Sequence, residues 1–130
     1  MAEKSIDCFA LATLVGDVAH AVFTLRLKVQ VAGGDGSKLE DLEDDLRAKA
    51  NELSNLGVVA LGDEFAGSTT RIGASIKKAK AAIEEINKVK KAIAIATAVL
   101  GIATSVLGGD FAAAFQDAVA LSEKLKADQG

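Results

Sequence analysis

The chain of 130 residues is 50% hydrophobic and 25% charged, a composition typical of a folded globular protein rather than a disordered one. It has no Pro, Trp or Tyr, five Phe and a net charge of −3, which counts against aromatic platforms that stack bases and against a general attraction to nucleic acid. Because it has one Cys and one His, neither an internal disulfide nor a zinc site can form within one chain, and we expect no metal and no cofactor.

The first predicted helix covers about residues 3–31. Its apolar residues recur at spacings of three and four and form one continuous stripe: Cys8, Leu11, Val15, Val18, Val22, Leu25 and Val29. A second stripe that includes Phe9 and Phe23 widens this surface. Since Asp17 is the only formal charge between Cys8 and Leu25, we expect the helix to lie at the centre of a bundle, at an interface or in lipid.

The apolar stretch at residues 8–16 is short enough to resemble the core of a secretory signal peptide. Glu3, Lys4 and Asp7 leave the start of the chain net negative, and Asp17 interrupts the apolar run. Signal peptides begin with a positive segment, so we expect no signal peptide and a soluble form with possible membrane association.

The segment AGGDGS, residues 32–37, predicts a loop, and Gly33, Gly34 and Gly36 are candidate hinge residues. Ser37 and Glu40 have the spacing of a capping box, which predicts the start of the second helix. The inner stripe of this helix is formed by Leu39, Leu42, Leu46, Ala50, Leu53 and Leu56. We expect the helix to continue through GVVALGDEF, residues 57–65.

The segment AGST, residues 66–69, is the next predicted turn, in which Ser68 or Thr69 caps the third helix, although an uninterrupted helix through it is also compatible with the pattern. The third helix is predicted over about 70–107, a length of about 55 Å at about 1.5 Å per residue. Gly108 and Gly109, further candidate hinge residues, end it. Asp110 is then predicted to cap a fourth helix.

These elements predict one domain over residues 1–130, of the all-α class. Short connections favour antiparallel neighbours, so the predicted architecture is an elongated up-and-down four-helix bundle with one over-long helix, about 70–107. We expect the charged first half of the long helix to pack on helix two, and its apolar second half to pack on helices one and four.

The third helix changes character at Lys91. Before this residue it has one narrow apolar seam, whereas residues 92–109 contain no charge and are apolar nearly all round. One face there has only small groups, among them Thr97, Gly101 and Thr104. This pattern predicts either that helices one and four wrap the segment or that the segment enters lipid, for which its length is near the lower bound of a bilayer span.

For the second possibility, two sets of residues are candidates. The membrane-inserting residues are Ile93, Ile95, Val99, Leu100, Ile102, Val106 and Leu107. The headgroup contacts are Lys88, Lys90 and Lys91, since lysines beside an apolar segment attract anionic lipids.

The stretch IKKAKAAIEEINKVKKAIAIATAVLGIATSVLGG, followed by FAAAFQDAVAL, resembles the hydrophobic region of the α-helical pore-forming toxins of the cytolysin A, enterotoxin, xenorhabdolysin and Cry6-like type. The resemblance covers residues 69–121 and is one of composition. It implies a lysine-rich helix that leads into an apolar segment, which is sheltered in the soluble form and inserts into membranes.

The remaining polar residues give no support to catalysis. His20 and Asp17 share one helix face with Thr13 and Thr24, and this face is either a pH-sensing pair or a polar stripe toward solvent. We therefore expect a non-enzymatic protein with a lipid membrane as partner, acting as a pore-forming protein or toxin component. The alternative is a soluble homo-oligomeric interaction or scaffold protein, with the same apolar faces as its interface to a second copy or to partner helical subunits.

Overall fold

The computed structural model describes residues 5–29, 34–60, 68–85 and 89–129. Over these residues the chain forms five helices and two short strands: β1 (Ser5–Asp7), α1 (Cys8–Val29), α2 (Gly34–Leu56), β2 (Val58–Ala60), α3 (Ser68–Glu85), α4 (Val89–Leu107) and α5 (Phe111–Gln129). The helices pack into a bundle, so the prediction of a helical bundle is confirmed. The two strands were not predicted.

The helices α1 and α2 form an antiparallel hairpin. Near the end of α1, Arg26 Nη2 lies 3.0 Å from Glu43 Oε1, while at the start of α1 the Cys8 N–H donates to the Gly57 carbonyl at 2.9 Å. Since α2 begins at Gly34, Ser37 lies inside the helix and the predicted capping box is wrong. The helix instead begins three residues before Ser37. Gly34 is tolerated there because the first N–H groups of a helix lack intrahelical partners.

A two-stranded antiparallel strap closes the open end of this hairpin. Ser5 pairs with Ala60, Ile6 with Val59 and Asp7 with Val58. The predicted continuation of helix two through 57–65 is therefore wrong over residues 58–60, and helix one begins at Cys8 rather than near residue 3. Gly57 has a φ of 70°, which ends α2, and the β-branched residues that follow it favour a strand.

We expect Gly57→Ala to lower the free energy of unfolding by about 1–2 kcal/mol, the cost of a left-handed conformation in a residue with a Cβ. A Cβ at this position also lies 3.5 Å from the Phe9 ring. Urea unfolding followed by circular dichroism measures the change. The control is Gly16→Ala, at a helical glycine whose added Cβ meets nothing within 4 Å, which we expect to stabilise the protein by up to about 1 kcal/mol. Equal effects of the two substitutions would contradict the left-handed turn.

The helix α5 packs against both α3 and α4. The Arg71 guanidinium carbon lies 5.8 Å from the centre of the Phe115 ring, and Ser75 Oγ lies 2.6 Å from Ser122 Oγ further along both helices. The helices α3 and α5 therefore run in the same direction. Since α4 and α5 pack together across a short connection, they are antiparallel, and α3 and α4 consequently run in opposite directions.

The predicted single helix over 70–107 is not what the structure shows. In such a rod, Arg71 and Gly101 would be about 45 Å apart at about 1.5 Å per residue. Both instead lie beside α5, whose 19 residues reach about 28 Å, Arg71 at Phe115 and Gly101 in a groove lined by Asp117. Two antiparallel helices let α5 cover the apolar stripes of both, which a straight rod does not allow.

The turn between α4 and α5 has the chemistry that the sequence predicts. Gly109 has a φ of 81°, and Asp110 Oδ1 accepts a hydrogen bond from the Ala113 N–H at 3.1 Å. The predicted end of the apolar helix at Gly108 and the predicted cap at Asp110 are confirmed.

Helix α4 contacts all four of the other described helices. The helix α1 contacts α2, α3 and α4, while α4 contacts α2 and α5 as well. The predicted packing of the apolar half on the last helix is confirmed, since α4 packs on α5, but α4 packs more on α2 than on the predicted partner α1. The charged half, α3, packs mainly on α1 and α5 rather than on α2. The largest fully buried side chains are Leu11, Val15, Val18, Leu39, Leu46, Leu53, Ile72, Ile76, Ile83, Ile95 and Ile102.

Candidate functional site

Helix α4 has a buried face and an exposed face. Four of the seven predicted membrane-inserting residues are at most 1% exposed: Ile95, Val99, Ile102 and Val106. The other three, Ile93, Leu100 and Leu107, are half-buried and pack against the core. The apolar side chains of α4 are thus sheltered by the other helices, as in the interpretation in which neighbouring helices wrap this segment.

The exposed face of α4 is formed by the small residues Thr97, Gly101 and Thr104. The Thr97 hydroxyl donates to the Ile93 carbonyl at 2.7 Å, and the Thr104 hydroxyl donates to the Leu100 carbonyl at 2.8 Å. A Cβ at Gly101 would meet no atom within 4 Å. The small face is therefore not a contact for another described helix, and its two hydroxyl groups find their acceptors within α4 itself.

A shallow groove of about 320 Å³ separates this face from α5. It is lined by Ala98, Gly101, Asp117, Ala120, Leu121 and Lys124. The described lining is mostly apolar and small, with one charge of each sign, from Asp117 and Lys124.

Two of the three predicted headgroup lysines lie at the start of α4. Lys90 and Lys91 are exposed, and Lys88 lies outside the described residues. Because α4 is antiparallel to α3 and α5, the start of α4 lies at the same end of the bundle as the last turns of those two helices. Lys126 is exposed in the last turn of α5, at that same end of the bundle.

Charge is distributed unequally between the two halves of the chain. Residues 1–60 contain ten Asp and Glu against six Lys and Arg, whereas residues 68–129 contain six Asp and Glu against nine Lys and Arg. Residues 1–60 include the α1–α2 hairpin, and residues 68–129 include α3, α4 and α5. The fold therefore has an acidic hairpin and a basic three-helix unit. Local runs of charge in the sequence did not predict this asymmetry.

The predicted hinge residues fall in two places. Gly34 and Gly36 lie within the bounds of α2, and Gly33 lies outside the described residues. Gly108 and Gly109 form the turn between α4 and α5, and both are exposed.

The polar residues of α1 face solvent. His20 and Thr24 are exposed, Asp17 is half-buried, and the His20 ring lies 6.2 Å from the Phe23 ring. This arrangement matches the interpretation of a polar stripe. Among the described residues no three side chains of His, Cys, Asp and Glu come together in a way that would hold a metal ion.

A charged cluster connects α1 to α2. Glu43 is 8% exposed and accepts from Arg26 Nη2 at 3.0 Å and from Arg47 Nε at 3.2 Å. The guanidinium of Arg26 also lies 5.3 Å from the Phe23 ring centre. Because Glu43 receives hydrogen bonds from both helices, the cluster fixes the pairing of the hairpin, which is a structural role.

Two described helices are long and apolar enough to cross a membrane, Cys8–Leu27 and Val89–Leu107. Within the structure, 44% of the first stretch and 39% of the second are buried. Since a core helix of a soluble protein has the same length and composition, these properties alone give weak support to a membrane role.

Among the residues whose exposure the structure describes, three large apolar side chains are exposed, Phe9 at 54%, Leu27 at 56% and Leu56 at 43%. The Phe9 ring lies 3.5 Å from the position that a Cβ of Gly57 would occupy, next to Leu56 in the chain. Phe9 therefore lies beside the end of α2, and the exposed Phe9 and Leu56 side chains belong to the same end of the α1–α2 hairpin.

Comparison of the chain with protein-family models, with curated proteins and with solved structures gives no significant match.

Proposed function

We propose that the protein is a non-enzymatic, membrane-active helical bundle of pore-forming or toxin-component type, which inserts the apolar segment 92–109 into lipid. The soluble form shelters this segment, and contact with an anionic membrane releases it. Lys90 and Lys91, with Lys88 beside them in the sequence, are the proposed headgroup contacts.

The observation that carries the proposal is the chemistry of the exposed face of α4. A helix enters hydrocarbon at low cost only if its polar groups are satisfied within the helix. Thr97 and Thr104 already donate to carbonyls one turn earlier, so their hydroxyls need no water. No charged side chain follows Lys91 in α4, so the segment contains no group that would have to lose its hydration as an ion.

The experiment is flotation of the protein with two kinds of vesicle, pure phosphatidylcholine and a mixture of phosphatidylcholine and phosphatidylserine, together with release of an entrapped dye. We expect binding and dye release with the anionic vesicles, weaker in high salt because screening reduces lysine–phosphate attraction. A protein that stays at the bottom of the gradient with both vesicles would contradict the proposal.

The second candidate function is a soluble homo-oligomeric scaffold, and the exposed Phe9 and Leu56 favour it. Exposed apolar surface of this kind often marks a protein contact. Molar mass from light scattering distinguishes the two functions: a stable oligomer that ignores vesicles supports the scaffold, whereas a monomer that binds anionic vesicles supports membrane action.

We further propose that the over-long helix over 70–107 forms in the membrane-bound state. In the sequence, the seam Ile83, Ile86, Val89 and Ile93 keeps helical spacing across the interval between α3 and α4, so one continuous helix presents a single apolar stripe. In that state α3 becomes the stalk that leads from the membrane surface into solvent.

Spin labels on Lys77→Cys and Thr104→Cys, in a Cys8→Ala background, measure this conversion by pulsed electron resonance. Both positions are exposed. In the bundle the two helices are antiparallel, and we expect a separation of no more than about 20 Å, given helix diameters of about 10 Å. With anionic vesicles we expect about 40 Å, the length of 27 helical residues at about 1.5 Å each. An unchanged distance in vesicle-bound protein would show that α4 does not join α3.

A further inference from the structure

A groove with charged side chains along its edges runs between α3 and α5, on the basic three-helix unit. It comprises two adjoining cavities of about 350 Å³ and 290 Å³, which share Lys78, Ser122 and Glu123 as lining residues. Arg71 lines the first cavity and Lys126 lines the second. Since α3 and α5 are parallel, the groove follows the direction of both helices.

Two serines fix the floor of the groove. The Ser75 hydroxyl is 2% exposed and donates to the Ala118 carbonyl at 2.8 Å, and its oxygen lies 2.6 Å from Ser122 Oγ. Because the single Ser75 proton is used on the carbonyl, Ser122 donates to Ser75. These hydrogen bonds hold α3 and α5 at a fixed spacing. A charged ligand in the groove is then recognised by the charged side chains along the rims of the groove.

The rims have an excess of positive charge. Lys78 on α3 and Lys126 on α5 line the same cavity, and within the described part of the chain neither makes an ion pair. Arg71 adds a third positive charge, with its guanidinium over the Phe115 ring. Of the described residues that line these two cavities, Glu123 is the one that is acidic.

From this geometry we propose that the groove binds the phosphate group of an anionic phospholipid headgroup, held between the Lys78 and Lys126 ammonium groups. The inference deepens the proposed function and rests on it. The cavity lined by Lys78 and Lys126 reaches the last turn of α5, at the end of the bundle where Lys90 and Lys91 begin α4, so a headgroup held there brings the start of the apolar segment toward the membrane surface. Glu123 limits the affinity because its carboxylate repels the phosphate.

The test compares three variants in their binding to vesicles of phosphatidylcholine and phosphatidylserine. Lys78→Ala removes a rim charge, and we expect the association constant to fall about five-fold, which corresponds to about 1 kcal/mol for one lysine at an anionic surface. The matched control is Lys77→Ala, an exposed neighbour on the same helix that lines neither cavity, for which we expect less than about a two-fold change. Glu123→Gln should raise the association constant by about two-fold or more.

Equal losses in Lys78→Ala and Lys77→Ala, with no gain in Glu123→Gln, would overturn the groove while membrane binding stands. If the wild-type protein binds no vesicles, the proposed function fails, and a titration with inorganic phosphate then decides about the groove. Amide shifts at Ser122 and Lys126 that are lost in Lys78→Ala would show a site for free phosphate instead of a lipid headgroup. If the wild-type protein shows no such amide shifts with inorganic phosphate, the groove has no phosphate site.

Discussion

Val99→Asp is expected to unfold the protein. Val99 is completely buried on the inner face of α4, in a core to which all five helices contribute. An ionised carboxylate without a partner in such a place costs several kcal/mol, and a domain of this size has only about 5–15 kcal/mol of stability. We expect loss of the cooperative thermal transition and a strong decrease in helical circular dichroism at room temperature.

The control for this substitution is Val99→Ala. It leaves a small apolar cavity, and we expect it to lower the free energy of unfolding by about 2 kcal/mol without loss of the fold. If Val99→Asp kept a thermal transition close to that of Val99→Ala, the inner face of α4 would have to be open to water. The expected unfolding also means that loss of vesicle binding in Val99→Asp carries no information about insertion, because an unfolded chain fails for other reasons.

Helical periodicity predicted the buried stripes well. The stripe from Leu11 to Leu25 in α1 is buried as its spacing of three and four residues predicts. The reversal of direction between α3 and α4 was missed because the apolar residues Ile83, Ile86, Val89 and Ile93 keep helical spacing in the sequence. In addition, no Gly or Pro separates Glu85 from Val89. Periodicity describes which residues share a face, and it does not determine where the chain turns back.

The strap was missed for a related reason. Ser5–Asp7 and Val58–Ala60 are each three residues long, too short for an alternating pattern to distinguish a strand from a helical turn. The pairing depends on the α1–α2 hairpin, which brings both segments to the same end of the bundle. Only the tertiary structure supplies that proximity.

The sequence predicted which residues of α4 make up the candidate site, but not which of them face the core. The sequence places apolar side chains all round α4 after Lys91, so it does not determine which face the bundle buries. The structure places Ile95 and Val99 inward and Thr97 and Gly101 outward. This choice is set by volume, because branched side chains fill a core while small ones leave the least apolar surface exposed to water.

The exposed face of α4 therefore offers a sharper test of insertion than the core does. Thr97→Asp places a charge near the middle of α4, where water surrounds it in the soluble bundle. A surface substitution of this kind changes stability by only about 0.5 kcal/mol, so the variant should fold and keep the wild-type molar mass. In the middle of an inserted helix the same aspartate costs about 2.5–3.5 kcal/mol, and we expect dye release to fall about 100-fold.

Two control variants show whether a loss of dye release in Thr97→Asp comes from blocked insertion, from the added charge alone or from a change in helix propensity. Thr97→Val has nearly the shape of threonine without the hydroxyl, so it should release dye at least as well as the wild-type protein. Gln116→Glu adds a negative charge to an exposed position of α5, outside the inserting helix, and should change release less than about five-fold, the effect of one charge at an anionic surface. A folded Thr97→Asp protein with wild-type dye release would mean that α4 stays out of the hydrocarbon. In that case the homo-oligomeric scaffold becomes the better-supported function, with the exposed Phe9 and Leu56 in its contact surface. The molar mass in solution tests this alternative.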